Sequence, residues 1–365
     1  MTGGNGWGVS RAAIGAVERG RSLPSLEALV TLSRVLHFEP MEVLERVDLA
    51  ATAPLDLTGI SLEQLGRLAY DFFWESDFRR AAATYDVMLE RLALDPPADR
   101  EKLEHLRAGI ELRRAAALRR CGALLSAEAA AKRSISLRGG GRDVQAQAYA
   151  LLAKIEVQRG FLPLATVHAR RAVELAEGCE GKVLARALLG KGEVLFASGD
   201  FEAAKSAFLE ARDLLRRARD DKHLSHAEGN IGLCHARLRD PGKARTWFRR
   251  ALDLARAQRF PSLEARWLTE LGRLSLEQGD PEEADRQATA AARVARSNED
   301  PIGTFRAEWV RHMAAVARDS GIEDHQRLGL LRRLLIRVGD HVGEREVQEF
   351  LAETREEPIA KRGRP

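Results

Sequence analysis

The chain is poor in the residues that build sheets, disulfide frameworks and membrane spans. Aromatics make up 5% of its 365 residues, and valine, isoleucine, threonine and tyrosine are sparse. Strands rely on such side chains, so a large β-sheet is disfavoured. Cysteine occurs only as Cys121, Cys179 and Cys234. An odd, scattered set is a poor disulfide framework and fits a reducing cytosol, so a cytoplasmic protein is expected. No apolar run approaches the roughly 18 residues of a membrane span, and the opening MTGGNGWGVS lacks the apolar stretch of a secretory signal. Charge of one sign is lacking too. The 58 basic and 54 acidic residues leave +4, which does not by itself indicate a nucleic-acid binder. Only 9 of the basic residues are lysine, a bias expected of a GC-rich bacterial genome.

Signatures of chemistry are missing as well. There is no G-x-x-x-x-G-K-[ST], no G-x-S-x-G, no C-x-x-C and no H-E-x-x-H, so no cofactor, no metal and no enzymatic activity are expected. His223, His226, Cys234 and His235 lie near one another, and His223 and His226 share a helical face. Isolated polar and core residues account for them better than a zinc site does. The carboxylates are expected on exposed helix faces with arginine partners three or four residues away. What the chain has in abundance is Ala, Leu, Arg and Glu, which are strong helix formers. With 45% hydrophobic residues it can build a sizeable core, and an all-α protein is predicted.

The helices are organised by a repeat. A small residue recurs at Ala69, Ala115, Ala153, Gly192, Gly232, Gly272 and, less regularly, Ala314. Seven residues later come Ser76, Gly122, Gly160, Gly199, Arg239, Gly279 and Gly321. Twelve later, alanine stands at 81, 127, 165, 204, 244 and 284. Sixteen later come Tyr85, Ala131, Ala169, Phe208, Phe248 and Ala288, and nineteen later Met88, Ser134, Ala172, Ala211, Ala251 and Ala291. The small residue lets a second helix approach the first, and the glycine after it supplies the positive φ that ends the first helix. The later offsets continue one face of the second helix. Each hairpin alone leaves an apolar face uncovered, so the hairpins must stack. This pattern resembles the tetratricopeptide repeat family over about 59–340. The spacing of 38 to 46 residues between units predicts longer helices than the family's shortest members have. DPPADR (95–100) is a turn insertion. Helices over 324–337 and 344–353 are predicted to cap the last unit, within an array spanning 59–355. Trp247, Trp267 and Trp309 are expected to fill space between repeats, and Tyr70, Phe73 and Trp74 to cluster on the first unit.

In such arrays the first helices line the concave surface, where partners bind as peptides. The resemblance places inward positions at −6, −3, +1, +4 and +5 from the small residue. In units two to six these include Arg119, Arg120, Gln147, Lys154, Gln158, Arg186, Glu193, His226, Arg237, Arg266, Arg273 and Glu277. Seven Arg or Lys against two Glu make this set cationic, although the whole chain is nearly balanced. Asn230, two before Gly232, stands where peptide-binding relatives often place an amide. A cationic groove suits an acidic peptide or a free carboxylate, which arginine holds bidentately. The alternative is a solvated, arginine-rich surface.

Residues 8–49 are of another kind. Ser10 can cap a helix over 11–18 that Gly20 ends. Pro24 opens a second, with Leu26, Leu29, Leu32 and Leu36 on one face, and Pro40 a third. The order G-V-S-R-x-x-I-x-x-V-E-R-G-R-x-x-P-S-L-E-x-L resembles the lambda-repressor-like (XRE-type) helix-turn-helix family from its recognition helix onward. The resemblance implies that Ser10, Arg11, Ala12 and Gly15 face the DNA major groove, with Arg11 as base reader, and that Arg19 and Arg21 approach phosphates. The family places two more helices before this point, and the seven residues of MTGGNGW cannot form both. A start codon assigned downstream of the true one, or a decayed module, would account for this. DNA is a partner if those helices exist in the native protein. Residues 50–58 read as a linker and 356–365 as a disordered tail.

Two functions remain open. One is a transcriptional regulator in which the array senses a peptide or partner protein and sets the geometry of a DNA-binding head, with a homodimer compatible with such use. The other is a non-catalytic interaction scaffold with a vestigial head.

Overall fold

The computed structural model describes residues 57, 59–74, 77–318 and 325–338. Among these residues the chain is a succession of α-helices without a strand. They are α1 (Leu62–Trp74), α2 (Phe78–Leu94), α3 (Arg100–Arg120), α4 (Leu124–Ser136), α5 (Gly141–Gln158), α6 (Leu162–Ala176) and α7 (Gly181–Ala197). Then follow α8 (Phe201–Arg217), α9 (Asp221–Arg237), α10 (Pro241–Ala257), α11 (Pro261–Glu277), α12 (Pro281–Ser297), α13 (Pro301–Arg318) and α14 (His325–Val338). A 3-10 turn at Arg138–Gly140 occupies the predicted glycine connector between α4 and α5. The candidate DNA-binding residues Ser10, Arg11, Ala12, Gly15, Arg19 and Arg21 lie outside the described residues, as do the linker 50–56, the predicted helix 344–353 and the tail.

Local chemistry starts and stops the helices. Asp200, Asp240 and Asp280, forty residues apart, each accept a backbone N–H three residues on, from Ala203, Lys243 and Glu283. A carboxylate in that place satisfies an otherwise unpaired donor and complements the helix dipole. Proline follows at the first position of α10, α11 and α12, where its missing N–H costs nothing. At the far end of the first helices, Gly122, Gly160, Gly199 and Gly279 adopt φ of 77° to 84°. Arg239 takes the same place at φ 61°, a conformation that costs a side-chain-bearing residue about 1–2 kcal/mol.

Packing follows the offsets read from the sequence. The alanines at 81, 127, 165, 204, 244 and 284 are all buried, as are the residues sixteen and nineteen after each of the first six small residues. A Cβ on Gly192 would lie 2.5 Å from the ring of Phe208, and one on Gly232 would lie 2.7 Å from that of Phe248. Where the small residue is Ala115 or Ala153, the facing residue is Ala131 or Ala169 instead. The interface is therefore filled in two ways, by glycine against phenylalanine or by a closer contact of two alanines. Trp267 and Trp309 are buried between units as expected, while Trp247 is only half-buried.

Each helix packs on the next along the chain, and from α3 onward each first helix also packs on the following first helix. Second helices pack on the first helices that flank them. The first helices thus form one continuous wall. In α14, Leu331 and Leu334 are buried against Phe305 and Trp309 of α13, so this helix closes the described end of the stack. The carboxylates do not all follow the expected exposed pattern: Glu111, Glu156, Glu228 and Glu308 are buried. Each faces an arginine, as in Arg216–Glu228 and Arg311–Glu308, because a charge removed from water needs a partner.

A cationic wall on the first helices

Side chains at matching offsets on successive first helices meet one another in rows. Six residues before the small residue stand Gln147 on α5, Arg186 on α7, His226 on α9 and Arg266 on α11. Arg186 Nη1 donates to Gln147 Oε1 at 3.4 Å, and Arg266 Nη1 lies 2.9 Å from His226 Nε2. One residue after it, Lys154 Nζ donates to Glu193 Oε1 at 3.1 Å. Near the helix ends, Arg119 Nη1 donates to Gln158 Oε1 at 3.1 Å. These links join units two to three, three to four and five to six. Glu193 connects units four and five more loosely, 3.9 Å from His226 Nδ1.

Asn230 Oδ1 accepts from Arg266 Nη2 at 3.4 Å, while its amide Nδ2 has no partner. Arg237 stands over the Phe196 ring, 5.8 Å from its centre, and Arg120 over Phe78 at 4.7 Å. Arg273 follows Gly272 directly on α11 and is half-buried. The structure thus brings Lys154, Arg186, His226, Asn230 and Arg266 into shared hydrogen bonds, and places Arg120 and Arg237 against rings instead.

Two participants were not legible in the inward offsets. Asp220 caps α9, accepting from His223 N at 3.3 Å. The same carboxylate meets His223 Nδ1 at 2.8 Å and accepts from Arg186 Nη2 at 3.1 Å. Burial alone would raise its pKa, but these hydrogen bonds outweigh burial and hold it well below the usual carboxylate range. A capping aspartate just before a first helix was the available signal. The second is Lys222, whose ammonium sits over the Trp74 ring and 5.8 Å from the centre of Phe260. Tyr70 and Phe73 pack edge-on against Trp74, at 5.3 and 6.1 Å between ring centres.

The electrostatics are those of crowded cations. Burial lowers the pKa of Arg120 to about 10, helped by Arg119, Arg306 and Arg266. Burial and then Arg120 lower that of Lys222 to about 7. His226 is held well below its ordinary value by burial, then by Arg266 and Lys154, so it faces Arg266 as a neutral acceptor at Nε2. Among the described residues no carboxylate lies within ion-pair distance of Arg120, Lys222 or Arg237. Buried donors also lack acceptors there: Trp74 Nε1, Arg119 Nε, Arg186 Nε and Asn230 Nδ2. The wall can accordingly hold a ligand rich in acceptors and negative charge.

Among the described residues no three His, Cys, Asp or Glu side chains gather as for a metal. His223 is committed to Asp220. Cys234 lies in the core, where burial pushes its thiol up to about 12. No described helix is long and apolar enough to cross a membrane.

Comparison with known proteins agrees with this architecture. The tetratricopeptide repeat family matches residues 183–257 and 227–297, which run from α7 to α12. No curated protein sequence matches the chain. A Rap protein complexed with Competence and Sporulation Factor is similar in structure, with 13% identity and a TM-score of 0.53, over 80% of this chain and 96% of that one. A signal-transduction ATPase with a tetratricopeptide repeat sensor, from Pyrococcus horikoshii, is similar at 15% identity and a TM-score of 0.52. It covers 90% of this chain but 48% of its own. Aspartyl phosphate phosphatase F from Bacillus subtilis gives 13% identity and a TM-score of 0.50, over 83% and 95%. At such identities the likeness is one of fold: the described chain is a tetratricopeptide-like solenoid of helical hairpins.

Proposed function

We propose that this protein is a non-catalytic regulator whose solenoid captures an acidic peptide, or an acidic segment of a partner protein, along the first-helix wall. The observation that carries the reading is the surplus of cations and donors there. Arg120, Lys222 and Arg237 have no carboxylate partner among the described residues, and the Asn230 amide donates to nothing. An acidic peptide offers both the charge and the acceptors. The Rap protein structure, which holds Competence and Sporulation Factor, supports a captured ligand on this kind of scaffold. In the full reading, residues 8–49 form a sequence-specific DNA-binding head in the cytoplasm, with Ser10, Arg11, Ala12, Gly15, Arg19 and Arg21 toward DNA. The captured partner then shifts the population of solenoid curvatures and with it the spacing of two heads in a dimer.

The test is capture of an acidic peptide by the full chain. Arg237→Glu together with Arg273→Glu should abolish capture with helicity intact, and unchanged capture would count against the reading. DNA retardation at low salt tests the head separately. A scaffold with a vestigial head is the second reading. It is favoured by residues 1–48, whose five arginines and six acids give −1 and hence little attraction to phosphate. Absence of retardation by any DNA supports it.

A further inference from the structure

Early and late parts of the solenoid touch. Lys222, the second residue of α9, covers the ring of Trp74, the last residue of α1, and shares that position with Phe260 at the turn into α11. Arg120, the last residue of α3, lies in the field of Arg266 on α11, of Asp300 and Arg306 around the start of α13, and of Lys222 itself. His226 feels Arg120 as well. Units one and two therefore meet units five to seven, with the ends of the early first helices against the beginnings of the late ones. Successive turns of the superhelix lie edge to edge at this place.

The junction is short of negative charge. Asp300 and Asp220 are the carboxylates whose fields reach Arg120 and Lys222, and neither pairs with them directly. The aromatic faces of Phe78 and Trp74 hold the two cations instead, through an attraction weaker than a buried ion pair. The indole N–H of Trp74 has no acceptor, nor does Arg119 Nε on the residue beside Arg120. Cations drawn from two superhelical turns repel each other unless something of opposite charge stands between them.

We infer that a carboxylate of the captured partner seats between Arg120 and Lys222 and ties the two superhelical turns together. This rests on the acidic-partner reading above and adds to it a particular seat and a consequence for shape. The bound carboxylate relieves the repulsion between Arg120 and Lys222 and draws the early units toward the late ones. It also restores full charge to Lys222, which burial and Arg120 otherwise bring to about 7.

The experiment uses the full chain and a hexaglutamate peptide, with affinity read by anisotropy and shape by small-angle scattering. The peptide should lower the radius of gyration of the wild type. Arg120→Gln and Lys222→Gln should each weaken binding by about tenfold, the loss expected for one charge-assisted hydrogen bond, and should remove the compaction with helicity unchanged. Should Lys222→Gln not fold, Arg120→Gln at the end of α3 together with the wild-type scattering decides the matter. Wild-type protein that ignores the peptide overturns the acidic-partner reading and this inference with it. Wild-type protein that binds, while the glutamine variants bind equally well or the radius does not change, overturns the inference alone. Weaker binding of the C-terminally amidated peptide makes the terminal carboxylate the occupant, and equal binding makes it a side-chain carboxylate; either supports the seat. Inorganic phosphate that compacts the protein by itself and blocks the peptide overturns the assignment to a partner's carboxylate.

Discussion

The two halves of the solenoid reach the same architecture by different means. From α7 to α12 every helix has 17 residues, aspartates cap the second helices, and glycine faces phenylalanine in two of the three units. From α1 to α6 helix lengths run from 13 to 21 residues. Ala123 and Phe161 stand at N-cap positions without a side-chain bond, and alanine faces alanine in two of three units. The family match falls on the uniform half. Uniformity therefore comes from caps and from one knob-in-hole pair, and the rest of the repeat tolerates drift. The less regular half also shows apolar surface: Phe161, Leu164 and Val167 are exposed on α6, where the uniform units carry Asp200, Ala203 and Ser206 on α8.

The comparison can be broken most severely at Trp267. It is fully buried, stacks with Phe248 and donates to Ser225 Oγ at 3.0 Å. Trp267→Ala should cost about 3–5 kcal/mol, read as a lowered urea midpoint, with the late units losing hydrogen-exchange protection first because contacts run between neighbours. Next comes a pair of identical substitutions. A Cβ on Gly229 would sit 2.2 Å from the Trp267 ring, whereas one on Gly190 would sit 3.5 Å from Ala150. Gly229→Ala should therefore cost about 1–3 kcal/mol through overpacking. Gly190→Ala should be neutral or stabilising by up to about 1 kcal/mol, since it improves helix propensity. Equal effects at the two sites would remove the distinction drawn between the interfaces.

Caps give a smaller, reciprocal effect. Asp200→Ala should lose about 1 kcal/mol and Phe161→Asp should gain somewhat less, both followed by thermal melting. The least is expected from acid. His223 and His226 have folded pKa values lowered chiefly by burial, so the unfolded chain binds more protons once the pH falls below about 6.5. Stability is then lost progressively as the pH falls further below that value. Asp220, held low, stays ionised through that window and adds its own loss only under stronger acid. His226→Gln should flatten the profile, and an unaltered profile would place the titration elsewhere.

Much of the stack was legible because it repeats. The offsets at twelve, sixteen and nineteen mark buried positions in every unit from Ala81 to Ala291, and the rows through Gln147, Arg186, His226 and Arg266 follow from the same register. Asp220 escaped notice because inward offsets counted only the body of the first helix, and its capping role lies one residue before it. The burial of Glu228 and Glu308 escaped because each meets an arginine of the preceding helix, Arg216 and Arg296, beyond the reach of an i to i+4 rule, although Arg311 also meets Glu308 three residues on. The meeting of Lys222 with Trp74 depends on the rotation accumulated over four hairpins. That rotation is set by small differences in how glycine, alanine and phenylalanine fill each interface, and no local pattern encodes the sum.

The side-chain rows along the first helices have a mechanical corollary. Because Arg186 grips both Gln147 behind it and Asp220 ahead of it, loosening that one grip tilts every later hairpin by the same small angle. The arc swept grows with distance from the pivot, as in a spiral staircase with one bent tread. A substitution that loosens such a grip should accordingly displace an end of the solenoid more, the farther that end lies from it.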